Sequence, residues 1–336
     1  IPNTPQFVMV YFGILKAGGV VVAVNPTYPV DEVLIPVNDA KMEIMFTLSR
    51  FYERLKTVRE RSKLKRIIVT NIKETLPPIT RLLFTLVKEK KEGDRVELLA
   101  DGDMWMKDLL AKHAKSPKPN VEVGPDDTAL FQYSGGTTGT PKGAVAMHRN
   151  VVANTLQIKS WMTGLEEGKE VVLMGIPLFH VYGMVAGMNF GMVIGASLVM
   201  VPNARDLKDV LVNISKYKAS IFPGVPLLYN GINNHPDVKA GKYNLSSIKA
   251  CISGSAPLMR ETKEEFERLT GGKLFEAYGL SEAPTGTHCN PLNGENKVGS
   301  IGLPLPDVDC KLVSLDDGET ELAQGEIGEI IINGPQ

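Results

Sequence analysis

The chain has 336 residues, 43% of them hydrophobic, and a formal net charge of -1. That length holds one large or two ordinary domains with a substantial core, and the near-neutral balance argues against nucleic acid, which would call for a strongly basic face. Cys251, Cys289 and Cys310 are odd in number, widely spaced and form no C-x-x-C pair, which argues for a reducing, cytoplasmic setting without structural disulfides or zinc.

In chain order, the opening Ile1-Pro-Asn-Thr-Pro lacks the basic region and cleavage pattern of a signal peptide. Thr4–Ala17 has a helical pattern stopped by Gly18-Gly19, and Val20–Val24 follows as a β-branched strand. Strands are expected at 43–47, 66–70, 128–133, 220–222, 248–252 and 273–277, and helices at 50–61, 148–162, 205–216 and 258–269. This alternation predicts an α/β fold of mostly parallel sheets with helices on both faces. In Pro77–Glu92, Ile79, Leu82, Leu83, Leu86 and Val87 fall on one helical face ahead of Lys88-Glu-Lys-Lys-Glu. An ordinary helix docked on the body is the expectation, with a membrane-surface helix as the alternative.

Val171–Ala204 carries no formal charge and imitates a membrane span. Pro177, His180 and five glycines divide it into a strand, a loop over 177–183, a helix over 184–194 and a second strand. The four-residue spacing of Gly183, Gly187, Gly191 and Gly195 suits close packing, so a buried core helix is expected rather than an integral membrane protein. Near the end, 308–314 and 326–332 read as antiparallel strands about a tight turn at Asp316-Asp317-Gly318.

Four stretches carry chemistry. Tyr133–Gly143 reads Y-S-G-G-T-T-G-T-P-K-G behind the apolar lead-in Thr128-Ala-Leu-Phe-Gln. Glycines permit close backbone approach, and N–H groups, hydroxyls and an ammonium in one loop are the groups that cradle phosphate. The candidate loop is Ser134, Gly135, Gly136, Thr137, Thr138, Gly139, Thr140 and Lys142. It is not a Walker A loop, because Gly143 and not Ser or Thr follows the lysine. Pro177-Leu-Phe-His-Val-Tyr-Gly183 ends a strand, where α/β proteins place their sites, although a lone histidine there also reads as a core residue. Ser253-Gly-Ser-Ala-Pro-Leu258 is an ordinary βα turn by residues alone, and its small side chains leave room for a ring or an alkyl chain. Glu276-Ala-Tyr-Gly-Leu-Ser-Glu282 by itself is a surface turn with an exposed carboxylate.

Together and in this order, the motifs resemble those of the adenylate-forming superfamily of acyl-CoA synthetases, luciferases and adenylation domains. Gly135-Gly136 makes the phosphate loop most like that of the long-chain fatty-acid–CoA ligases. Weaker matches at Tyr11–Gly19, Asn25–Pro29 and Gly325–Glu329 extend the resemblance over essentially the whole chain. It implies the large N-terminal domain of such an enzyme: two α/β subdomains in 1–299 for ATP/AMP and acyl binding, and the start of a small β-barrel-like antiparallel subdomain in 300–336. It implies ATP, Mg²⁺ and coenzyme A. The adenine side would be Gly254, Ser255, Ala256, Glu276, Ala277, Tyr278, Gly279 and Ser281. Phe179, His180, Gly183 and Gly254 would line the acyl and carboxylate pocket, and Glu282, with Thr137, would hold the metal. Ser281 stands where the family more often has threonine and keeps the hydroxyl.

The implied reaction activates a fatty acid as its acyl-adenylate and transfers it to coenzyme A. An aryl-CoA ligase or a stand-alone adenylation enzyme is the alternative within the superfamily, and a non-catalytic nucleotide-binding protein the alternative outside it. The family's ribose-binding aspartate and its C-terminal catalytic domain with a lysine find no match in 1–336. The chain by itself is therefore expected to be inactive: purified material should show no carboxylate-dependent pyrophosphate exchange, and exchange above a boiled control would refute this.

Overall fold

The computed structural model describes residues 1–134 and 141–336. It divides into two compact units: Ile1–Val145 with Leu178–His180, and Ala146–Pro177 with Val181–Gln336.

The first unit holds β1 (Val21–Val22), β2 (Ile44–Leu48), β3 (Arg66–Thr70), β4 (Met104–Trp105), β5 (Thr128–Ser134) and the start of β6 (Lys142–Met147). One sheet has the order β1-β5-β6 and another the order β2-β3-β4, with β1 parallel to β5 and β2, β3 and β4 all parallel. Buried carboxylates tie down the return from the 78–88 helix. Glu89 accepts from Asn71 and pairs with Lys73, Asp94 accepts from Ser49 and Arg50, and Asp103 accepts from Tyr52, Arg59 and the Ile67 amide.

The expected docking of that helix does not occur. Residues Pro78–Leu83 form an α-helical turn continued by a wider π-type turn over Phe84–Lys88. Ile79, Leu82, Leu83, Leu86 and Val87 all face solvent, each at least 57% exposed. The helix is fastened instead through polar groups: Arg81 bonds the carbonyls of Lys73, Glu74 and Leu76, and Glu89 turns inward.

The second unit holds β7 (Val171–Met174), β8 (Ser197–Met200), β9 (Ile221–Gly224), β10 (Ala250–Ser253), β11 (Lys273–Leu280), β12 (Ala283–Cys289), β13 (Leu303–Pro304), β14 (Asp309–Val313) and β15 (Glu329–Asn333). A seven-stranded sheet runs β13-β12-β11-β10-β9-β7-β8, parallel from β8 through β11 and antiparallel at β12 and β13. Helices 207–217, 226–234 and 260–270 supply the core with Val210, Leu211, Ile214, Tyr229, Ile232 and Phe266 against Phe222, Cys251 and Leu274 of the sheet.

The uncharged stretch is interior, as its glycines suggested. Every residue of the π-type helix Tyr182–Asn189 is buried. A Cβ on Gly187 would stand 2.5 Å from Met174 Cε, and one on Gly191 2.5 Å from Leu198 Cδ2, so both glycines allow the helix to sit directly on β7 and β8. Among the described residues no helix is long and apolar enough to cross a membrane. Helix Tyr182–Asn189 starts earlier than expected, so Gly183 lies in it rather than in the preceding loop.

The β11–β12 hairpin and β13 are absent from the sequence-based reading. Pro284 and Gly286 break the apolar alternation, and the hairpin shifts register twice, at Tyr278/Gly279 and Gly279/Leu280. The expected tight turn between the last strands is also wider, since β14 and β15 pair antiparallel from Val313↔Glu329 and leave 314–328 as the connection. Asp317 closes a local turn within that connection by accepting from the Glu319 and Thr320 amides and the Thr320 hydroxyl, which together hold its pKa down to about 2.

Asn154 is the buried clamp on β12. Its Oδ1 accepts from the amides of Thr285 and Gly286, and its Nδ2 donates to Gly286 O and Gln157 Oε1. Asn154→Ala strands two amide donors and should cost on the order of 3 kcal/mol in denaturant unfolding; a loss no larger than that of an exposed substitution would show that water replaces the clamp.

Candidate functional site

The parallel pairing of β9, β10 and β11 sets Gly224 and Ser253, the last residues of β9 and β10, in one row with Glu276 in the middle of the longer β11. The adenine-side residues singled out above, and Glu282, lie on β11 or in the segments that follow β10 and β11. Open α/β sheets bind ligands at such edges, where loops leave the strands.

Gly254, Ser255 and Ala256 follow β10 directly, with Ser255 in the left-handed region at φ 70°. The next helix begins only at Arg260, two residues later than expected, and the three small residues form a loop ahead of it. Gly254 is small for a defined reason: a Cβ there would lie 3.3 Å from the ring of Tyr182. The Tyr182 hydroxyl lies 2.7 Å from Ile252 O and 3.0 Å from Gly224 O, and Tyr229 reaches Ile252 O at 2.8 Å. Burial raises the pKa of both phenols well above the ordinary tyrosine value. Two neutral hydroxyls therefore tie the ends of β9 and β10 together. Neither tyrosine was assigned a role from sequence; the only signal for Tyr182 was its place in the Pro177–Gly183 motif.

Glu276 is a positioning residue. Its Oε1 accepts from the Leu258 amide at 2.8 Å and its Oε2 from the Gly299 amide at 2.9 Å, so the carboxylate holds the 254–259 loop against the following segment. Ala277 pairs with Cys289 and Tyr278 with His288, whose rings meet edge to face at 6.1 Å. Tyr278 is half-buried, Ser281 half-buried and Glu282 exposed at the tip between β11 and β12. The turn's shape requires glycine at 279, because a Cβ there would sit 1.6 Å from Thr285 O.

Gly183 is equally constrained, with Pro177 O 2.2 Å from where its Cβ would stand. Tyr182 links Gly254 to the helix that carries Gly183. Phe179 and His180 belong to the first unit, where Gln132 Nε2 donates to Phe179 O at 3.4 Å and Asn3 Oδ1 accepts from the Leu178 amide. His180 keeps an exposed edge, and the protein around its ring lowers its pKa from the histidine value of 6.5, which favours the neutral imidazole at pH 7.

Of the phosphate loop, Ser134 ends β5 and Lys142 starts the neighbouring strand β6 with its side chain exposed. Gly135, Gly136, Thr137, Thr138, Gly139 and Thr140 lie outside the described residues. Next to Ser134 in β5, the Tyr133 hydroxyl donates to Asp39 Oδ2 at 2.5 Å, and its pKa is raised, first by burial and then by that carboxylate. No group of three or more His, Cys, Asp or Glu side chains could hold a metal ion among the described residues. Glu282 stands by itself at the hairpin tip as an exposed carboxylate. A cavity of about 690 Å³ in the first unit, lined by Tyr11, Val22, Met45, Phe46 and Phe131 among others, contains none of the predicted site residues.

The family profile described as AMP-binding enzyme matches residues 1–336. The chain is 40% identical over its whole length to a long-chain-fatty-acid–CoA ligase of Bacillus subtilis, of which it covers 59%. It is 31% identical, again over its whole length, to the ligase of the same description from Salmonella typhimurium, also covering 59%. Among solved structures, a long-chain-fatty-acid–CoA ligase from Archaeoglobus fulgidus superposes with a TM-score of 0.80 at 27% identity, over 99% of this chain and 62% of that one. The chain thus spans about three-fifths of the length of these relatives.

His288 is buried beside Thr287, its Nδ1 3.0 Å from the hydroxyl, and burial lowers its pKa from 6.5 as it does for His180. The unfolded chain then binds more protons than the folded one as pH falls below about 6.5, so this part of the stability is present above that pH and lost on acidification. Thermal unfolding of His288→Gln should show a shallower loss between about pH 7.5 and pH 5 than the parent; equal slopes would remove His288 from the acid response.

Proposed function

Because the chain belongs to the AMP-binding enzyme family, we propose that it forms most of the nucleotide- and acyl-binding part of a fatty-acid–CoA ligase. The observation that carries the reading is the row Gly224–Ser253–Glu276, with a small-residue loop, an aromatic face, a hydroxyl and an exposed carboxylate leaving adjacent strand ends. The 40% identity to a ligase of that description supports the acyl class.

In this reading a fatty carboxylate attacks the α-phosphorus of ATP. The bond to the bridging oxygen breaks, pyrophosphate leaves and an acyl-adenylate forms. The thiol of coenzyme A then adds to the acyl carbonyl, AMP departs and the thioester remains. The barrier to the first step is electrostatic, since an anion approaches a polyanion. Lys142 and the hydroxyl-rich loop from Ser134 bring positive and dipolar groups to the phosphates. Tyr278 offers a rigid face to adenine above the loop Gly254–Ala256, and Ser281 a hydroxyl to the α-phosphate. Phe179 and neutral His180 orient the carboxylate, and Gly183 and Gly254 let the buried helix and the Tyr182 ring pack closely beside the acyl chain. Bound Mg²⁺ supplies charge neutralisation on the phosphates, with Glu282 as its protein oxygen. Within 300–336, the two-stranded sheet of β14 and β15 would begin the next, antiparallel subdomain. The same reading sets the protein in the cytoplasm, with peripheral contact to a membrane from which fatty substrates come.

A thermal-shift titration with non-hydrolysable acyl-adenylate mimics tests this. A palmitoyl mimic at a hundredfold excess over its Kd should add about 2.7 kcal/mol of stability, with the shift lost in Tyr278→Ala. A larger shift with an aryl mimic would move the assignment to an aryl-CoA ligase. A shift of equal size in Tyr278→Ala would remove the adenine role from that residue.

A further inference from the structure

We propose that the exposed face of the 78–88 helix is a docking surface for an anionic lipid bilayer. It deepens the peripheral contact named above, but it stands on its own geometry. Ile79, Leu82, Leu83, Leu86 and Val87 follow an i, i+3, i+4, i+7, i+8 pattern and are 77%, 60%, 57%, 73% and 67% exposed. Five large apolar side chains aligned on one exposed helix face mark a contact site, whereas isolated ones carry no such meaning.

The charges around the stripe select the occupant. From Pro77 to Lys91 the sequence has Arg81, Lys88, Lys90 and Lys91 against a single acid, Glu89. The fold turns that acid inward, where it is 7% exposed and bonded to Asn71 and Lys73. Lys88, Lys90 and Lys91 stay exposed, and among the described residues neither Lys90 nor Lys91 has an ion pair. Glu92, just beyond, is engaged by Arg50 and Lys88. The surface presented is an apolar stripe beside uncompensated ammonium groups, which matches acyl chains beneath anionic headgroups.

The stripe is too narrow for a second protein, since stable protein interfaces draw on about 20–30 residues a side. It is also held firmly enough to insert without rearranging. Arg81 locks the helix start to the carbonyls of Lys73, Glu74 and Leu76, and Glu89 with buried Asp94 fixes its end.

Co-sedimentation of the 336-residue chain with vesicles tests the proposal, comparing mixed phosphatidylcholine–phosphatidylglycerol with pure phosphatidylcholine. The parent should sediment with the mixed vesicles and not with the neutral ones, and high salt should weaken binding. The double substitution Leu82→Ser, Leu86→Ser should cut the bound fraction about tenfold with unchanged thermal unfolding, because both side chains are exposed. Lys90→Gln with Lys91→Gln should retain part of the binding while reducing its salt dependence. No sedimentation of the parent, or equal sedimentation of the serine variant, overturns the proposal. So does light scattering that shows a self-associated parent made monomeric by the serine substitutions, since a second copy would then be the occupant. None of these outcomes depends on nucleotide binding, so the ligase reading stands or falls separately.

Discussion

The second unit's share of the candidate site hangs from the parallel register that aligns Gly224, Ser253 and Glu276. A register slip of one residue would turn each of these side chains to the opposite face of the sheet. The alignment is therefore fixed from below by the buried core of Phe222, Cys251 and Leu274, and from above by polar ties. Tyr182 and Tyr229 converge on Ile252 O, and Glu276 holds the amides of Leu258 and Gly299. These ties satisfy backbone groups that would otherwise be stranded where strands end and loops begin.

That arrangement separates support from chemistry. The groups with reactive potential, Tyr278, Ser281 and Glu282, sit on or beside a hairpin tip and retain access to solvent. The groups beneath them are already engaged: buried Asn154 on the amides of Thr285 and Gly286, and half-buried Glu276 on its two loops. A ligand entering such a site meets loops whose conformations are largely set, which lowers the ordering cost of binding. Buried carboxylates serve the same end in the first unit, where Asp94 and Asp103 hold the 94–103 return in place without facing solvent.

Much of this was legible in the sequence, and the limits have physical causes. The parallel strands announced themselves as short β-branched or apolar runs between amphipathic segments: 66–70 coincides with β3, and 128–133 falls within β5. The glycine spacing after 183 identified a close-packed interior helix despite its resemblance to a membrane span. The β11–β12 hairpin was illegible because its order comes from tertiary partners, chiefly Asn154, which lies 131 residues from Thr285. The 78–88 helix was misjudged for a different reason. Periodicity shows that a helix has an apolar face, but it does not say which way the helix is turned, and here polar anchors decide. At the site, the loop and turn residues were nameable from their motifs, whereas the roles of Tyr182, Tyr229 and Asn154 depend on contacts that no local pattern encodes.

Gly279 carries a consequence for how sequence variation in this hairpin is to be read. Its missing Cβ would stand 1.6 Å from Thr285 O, so any relative that keeps the hairpin geometry is confined to glycine there, whatever its substrate. Two residues further on, Ser281 is half-buried, and in the proposed reading what it must keep is a hydroxyl rather than a shape. Invariance would then be strictest at a position that need touch no ligand, and looser at one that does. In this turn, a fixed glycine at 279 would report the tightness of packing and not participation in a reaction.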